Sequence, residues 1–144
     1  SFRLYNGLDT FYEILIKEGY NASAICEKLG IPDLQSIEPT YLPYYSSIKL
    51  GSNTLDLLVK LFMVRGSISL EQARSIFGET CLEMLQNLGV LYHRGDNIAS
   101  SIDLFWVEGH FIATDHRFLF FEEDQMDESL SSDKFLLPHF VKIF

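Results

Sequence analysis

Basic residues are scarce in this chain: 11 Lys and Arg stand against 20 Asp and Glu, a formal net charge of -9 with a pI near 4.7. Affinity for nucleic acid comes largely from Lys and Arg neutralising phosphates, so this balance argues against a DNA-binding role. Cysteine is nearly absent as well. Cys26 and Cys81 stand alone, without a C-x-x-C, which excludes a recognisable zinc site or disulfide framework and fits a reducing, cytoplasmic setting. No apolar run approaches the roughly 18 to 20 residues of a membrane span, and the N-terminus has no charged segment leading into an apolar one. Glycine-rich phosphate cradles are missing too, since Gly51, Gly66, Gly78, Gly89 and Gly95 are isolated and no G-x-G-x-x-G or G-K-[ST] occurs. The histidines His93, His110, His116 and His139 share no metal-binding spacing, so a metal site is not expected.

What is present is apolar material. The 144 residues are 47% hydrophobic and 14% aromatic, enough for one domain to bury a core. Leu4, Leu8, Phe11, Tyr12 and Leu15 recur at helical spacing up to Lys17, with Gly19 placed for a left-handed cap. A second helix is expected over Ala22 to Leu29, opened by Asn21, closed by Gly30, and paired with the first as a hairpin. Pro32, Pro39 and Pro43 then interrupt the pattern, so residues 31–51 read as an aromatic-rich connection without regular helix.

Ser52-Asn53-Thr54 is the start signal of a core helix carrying Leu55, Leu58, Val59, Phe62 and Met63 on one face and stopped at Gly66. After a short strand at Ile68, Ser69 and Gln72 form a capping box for a helix to Phe77, and Gly78 separates it from a third helix over Glu79 to Leu88. Val90-Leu91-Tyr92 is strand-like and Arg94-Gly95-Asp96-Asn97 suits a hairpin turn. The return strand is expected to hold Ile102, Leu104 and Trp106 on one face, with a further strand from His110 to Thr114 in the same sheet. The predicted fold is α+β, mainly α: a helical hairpin followed by a winged-helix-like module, residues 52–121, with a small antiparallel sheet. Residues 1–121 form one compact domain in this reading. The acids of residues 122–134 read as a solvated linker, and 135–144 either pack back on the domain or begin another.

Little catalytic chemistry is visible. The third helix, which would enter a DNA groove in a winged-helix regulator, carries Glu79 and Glu83 and no base. Across residues 52–117 five bases face eight acids, a net of -3. Asp115-His116 is a formal acid/base pair, but strand neighbours point to opposite faces and no nucleophile motif accompanies them. Asn21-Ala22-Ser23 matches a glycosylation triplet, read as coincidence without a secretory context. The candidate partner-contact residues are Tyr41, Tyr44 and Tyr45, because tyrosine is favoured at interfaces, together with His93 and Arg94 at the hairpin turn. The competing reading of the tyrosines is that they pack the connection on the core.

Three stretches carry a resemblance: Gly19-Tyr20 leading to Ala24-Ile25-Cys26-Glu27-Lys28-Leu29-Gly30, then Leu57 to Phe62, then Leu85 to Leu91 with Asp103-Leu104. Together they resemble the N-terminal accessory domain of bacterial S-adenosylmethionine-dependent methyltransferases of the small-domain type, related to the glutamine N5-methyltransferases. The likeness runs from about Leu4 to about Asp133 and rests on hydrophobic pattern and a few glycines. It implies a domain that presents a macromolecule, protein or RNA, to a catalytic domain in cis, where S-adenosylmethionine would bind. Leu42-Pro43-Tyr44-Tyr45 departs from the N/D-P-P-Y motif of that catalytic domain, and no catalytic or cofactor-binding residue is assigned within this chain. The Ser1 start fits a piece of a longer protein or the remnant of a tag.

The leading expectation is therefore a non-catalytic substrate-recognition domain of a methyltransferase. A free-standing protein-interaction module is the alternative, and a winged-helix DNA-binding regulator the least favoured reading. Duplex DNA should show no electrophoretic retardation at low salt, the condition in which weak phosphate binding appears first, and a salt-sensitive shift there would reinstate the regulator.

Overall fold

A computed structural model describes residues 2–116 and 141–144 of the chain. The first helix, α1 (Phe2–Lys17), presents Gly7, Phe11 and Leu15 at four-residue spacing to the core, and a Cβ on Gly7 would come within 2.9 Å of Met84 Cγ. This close approach seats α1 on α5 (Leu70–Asn87). The helix ends as its glycine signals, with Gly19 left-handed and Tyr20 N–H donating to the Leu15 carbonyl at 3.0 Å. Helix α2 (Ala22–Leu29) has the predicted caps: Asn21 Oδ1 accepts from Ala24 N–H at 2.8 Å, and Gly30 is left-handed.

The connection departs from its reading as irregular. After a 3-10 turn at Leu34–Ser36 the chain is helical through Pro39–Tyr41, α3 (Leu42–Tyr44) and a π-turn at Tyr45–Lys49. Pro39 and Pro43 occupy first-turn positions, where the missing N–H has no helical partner to lose. The prolines therefore start helical turns here instead of breaking them.

Helix α4 (Thr54–Phe62) is the centre of the molecule, with Leu57, Leu58, Val59, Leu61 and Phe62 all buried. Asn53 caps its start, and the buried Asp56 carboxylate accepts from Gly51 N–H at 2.7 Å and pairs with Lys28 of α2. Strand β1 (Ser67–Ser69) follows, then α5 behind the predicted capping box of Ser69 and Gln72. Gly78 interrupts α5 at φ 75° and ψ 166°, so its two halves are the two helices anticipated on either side of that glycine. Phe11, Phe62 and Phe77 meet around this kink with ring centroids 5.4 to 6.4 Å apart.

Two sheets follow, where one was expected. In the first, β2 (Leu91–Arg94) and β3 (Asn97–Ser100) form a hairpin whose second strand also pairs with β1, giving the antiparallel order β1-β3-β2. Helix, strand, helix, kink, helix and hairpin thus occur in the order anticipated from sequence. The return strand, however, is β3 and stops at Ser100; Ile102, Leu104 and Trp106 belong instead to β4 (Ile102–Val107) of a second sheet. Serine side chains make the corner. Ser100 Oγ donates to the Ile102 carbonyl at 2.9 Å, and Ser101 Oγ donates to the Gly89 carbonyl at 2.6 Å.

Strand β5 (His110–Asp115) pairs with β4 across a turn at Glu108-Gly109, both at positive φ, and β6 (Val141–Ile143) pairs with β5 on its other side. Phe144 exchanges backbone hydrogen bonds with Phe111 and lies 5.6 Å from the rings of both Phe11 and Phe111. Residues 141–144 thus pack back on the domain. Phe118 to Phe121, the acidic stretch of residues 122–134 and residues 135–140 lie outside the described residues.

Helix α1 packs chiefly on α5 and not on α2, so the expected pairing of the two helices as a hairpin is not found. Tyr20, between them, ties this link to the second sheet, its buried hydroxyl donating to the Leu104 carbonyl at 2.8 Å. The described residues therefore share one core. Because the Gly78 conformation is open essentially to glycine only, Gly78→Ala should destabilise the fold by about 1–3 kcal/mol in urea unfolding. An unchanged midpoint would mean that α5 straightens without cost.

Candidate functional site

The carboxyl end of α4 is where the chain brings its buried charges together. Arg65 follows the helix in a left-handed conformation, φ 59°, which turns its side chain back under the second sheet. There Arg65 Nη2 donates to Asp103 Oδ2 at 3.1 Å and to the His116 carbonyl at 2.8 Å. The two side chains are 8% and 1% exposed. His116 Nε2 lies 3.4 Å from Asp103 Oδ1, an ion contact without hydrogen-bond alignment.

Burial pushes the Asp103 carboxyl up, against the lowering influence of His116 and Arg65. Burial likewise pushes His116 down, assisted by Arg65 and opposed by Asp103 and the Ile102 backbone. Tyr20 is raised by burial and then by the Asp103 charge.

Above this cluster lies an open cleft of about 810 Å³. One wall is the helical connection, through Pro39, Leu42, Pro43, Ser46 and Ser47. The other is Tyr92 and Arg94 of β2, and the floor is Lys60, Val64, Arg65, Gly66 and Ser67 with His116 at one side. Gly66 allows the walls to meet here, since a Cβ would fall 2.5 Å from Ser46 Oγ and 2.6 Å from Lys60 Cγ. The lining contains Lys60, Arg65, Arg94 and His116 and no carboxylate.

A serine, a histidine and an aspartate around one cleft invite a nucleophilic reading, which the hydrogen bonding does not support. Ser47 Oγ donates to the Pro43 carbonyl at 2.7 Å, Ser67 Oγ accepts from Asn97 Nδ2 at 3.2 Å, and among the described residues no hydrogen bond joins a cleft serine to His116. The cysteines offer no alternative nucleophile. Burial raises the Cys81 thiol to about 11, and both cysteines are unbridged. Among the described residues no three His, Cys, Asp or Glu side chains are grouped to hold a metal ion.

The sequence-predicted contact residues are only partly brought together. Tyr41 and Tyr44 are exposed at 54% and 42%, as a contact surface requires, whereas Tyr45 is 7% exposed. Tyr45 is thus corrected to a core residue: the helical turn sends it inward, with Tyr44 stacked edge-on to it at 6.1 Å. Arg94 lines the cleft. His93, its neighbour on β2, faces the opposite way into a smaller hollow of about 270 Å³ beside Glu79, Glu83 and Gln86. The sequence argues against Asp115-His116 as an acid/base pair, and the carboxylate that His116 contacts is Asp103, on the neighbouring strand.

Sequence reasoning missed Lys60, Arg65, Tyr92 and Asp103. One signal was available for Asp103, an acid inside the apolar alternation of Ile102, Leu104 and Trp106. The fold is α+β and mainly helical, and no helix among the described residues is long and apolar enough to cross a membrane. No protein-family model and no curated protein matches the chain.

The depressed His116 gives a pH dependence of defined sign. The unfolded chain takes up this proton at 6.5 and the folded one only at lower pH, so stability falls as pH drops through 6.5 to the folded value. The raised Asp103 carboxyl gives the opposite slope above 3.8. Urea unfolding from about pH 8 to about pH 5 should therefore show a loss that is flattened in His116→Gln, and parallel profiles would remove His116 as its source.

Proposed function

We propose that the chain is a non-catalytic recognition domain that takes a segment of another macromolecule in the cleft between the Pro39–Ser47 connection and β2. The observation that carries this reading is the cleft itself, an open surface with the exposed ring of Tyr92 in its lining and furnished with side-chain donors but no activated nucleophile. The element that would enter a DNA groove in a winged-helix-like regulator, the second half of α5, instead displays Glu79 and Glu83. Recognition of protein is accordingly favoured over recognition of DNA.

The resemblance to accessory domains of S-adenosylmethionine-dependent methyltransferases makes this reading more specific, placing the recognised macromolecule beside a catalytic domain in cis. It rests on the hydrophobic pattern of α2, α4 and α5.

Two measurements test the proposal. Calorimetric titration of the 144-residue chain with S-adenosylmethionine should give no binding heat, and saturable binding would overturn the separation of recognition from catalysis. Panning the immobilised chain against a displayed library of short peptides should enrich binders that are lost in a Tyr92→Ala protein of unchanged circular dichroism. Enrichment only of peptides indifferent to that substitution would overturn the cleft as the recognition surface.

A further inference from the structure

The charge of the cleft runs against the charge of the molecule. A chain of net charge -9 lines this cleft with Lys60, Arg65, Arg94 and His116 and with no acid. Arg65 is not the source of a positive potential, because Asp103 neutralises it from below. Lys60 and Arg94 are. Neither forms an ion pair among the described residues, and each head group is held by one long hydrogen bond: Lys60 Nζ to the Gly51 carbonyl and Arg94 Nη2 to the Arg65 carbonyl, both at 3.4 Å. A lysine has three N–H donors and an arginine five, so most of this donor capacity faces the cleft or solvent. The lining also carries apolar side chains, Leu42, Val64 and Tyr92, the last 42% exposed.

The geometry points to an acidic peptide segment of a partner protein as the occupant, its carboxylates meeting Lys60 and Arg94 and an intervening apolar side chain resting on Leu42 and Val64. This rests on the recognition reading above and names the chemistry of its ligand. Charge complementarity selects the carboxylates: guanidinium matches them with paired N–H donors, and the ammonium adds a point charge. A peptide is favoured over nucleic acid because two cations on an acidic protein are too few to track a phosphate backbone, which needs a continuous basic surface. Elsewhere the acidic exterior repels such a peptide, so attraction is confined to the cleft.

The test is fluorescence anisotropy on the full 144-residue chain with a labelled short peptide of glutamates flanking one leucine, its glutamine isostere, and a single-stranded oligonucleotide. The glutamate peptide should bind, weaken with added salt, and exceed the glutamine peptide by about tenfold. Lys60→Gln and Arg94→Gln should each weaken it about tenfold while leaving circular dichroism and the urea midpoint unchanged. Equal binding of the two peptides, or indifference to both substitutions, would overturn the assignment. So would tighter binding of the oligonucleotide at the same salt. A peptide without acids whose binding depends on Tyr92 would preserve the recognition reading and remove this one, whereas the absence of any cleft-dependent peptide would remove both.

Discussion

The ion pair between Arg65 and Asp103 is the constraint around which the cleft is arranged. Strand β4 is covered on both faces near its start, so Ile102, Asp103 and Leu104 are all buried and the carboxylate must be met from inside the protein. Arg65 meets it by leaving α4 through a left-handed residue, an unfavourable conformation for a long side chain that persists because the guanidinium also binds the His116 carbonyl. A buried pair of this kind contributes little net stability compared with an apolar replacement, but losing one partner typically costs about 3–5 kcal/mol. It therefore sets geometry more than it adds stability. The end of α4, the start of β4 and the end of β5 are held in one arrangement, and the floor of the cleft is their common surface.

From that floor the walls follow. Gly66, immediately after Arg65, lets the Ser46 turn of the connection approach, and Arg94 of β2 reaches the Arg65 carbonyl from the other side. The aromatic core of Phe11, Phe62 and Phe77 supports α4 from beneath, while Tyr20 and Phe111 tie the link between α1 and α2 to the second sheet. Dense packing of this sort leaves few soft positions, so the cleft is a preformed surface.

The distribution of charge gives that surface its direction. Acids dominate the exterior, and the one acid beneath the cleft, Asp103, is spent on Arg65, so that Lys60 and Arg94 present positive charge where the rest of the protein presents negative. The acidic second half of α5 lies at a separate hollow with His93. The element order expected from sequence thus coexists with an acidic second half of α5.

Features decided within three or four residues were legible in the sequence. Asn21 and Asn53 as caps, the Ser69 and Gln72 capping box, and the glycines ending α1 and α2 or kinking α5 each satisfy a nearby backbone group or supply a positive φ. Local chemistry suffices for them. The helical nature of the connection was hidden because proline starts a helix as readily as it ends one, and the difference lies in which carbonyl the next N–H finds. The same ambiguity concealed that Tyr45 turns inward while Tyr41 and Tyr44 remain outside. A strand period of two could not reveal that the chain leaves the first sheet at Ser100, since the corner depends on Ser101 bonding back to Gly89 and Val90. Nor could any spacing rule join Arg65, Asp103 and His116, which meet through the packing of α4 against β4 and the pairing of β4 with β5. The sequence by itself determined the caps, the helix faces, the α+β class and the acidity; only the tertiary structure decided where the few cations gather, because charges distant along the chain become neighbours when the layers between them close.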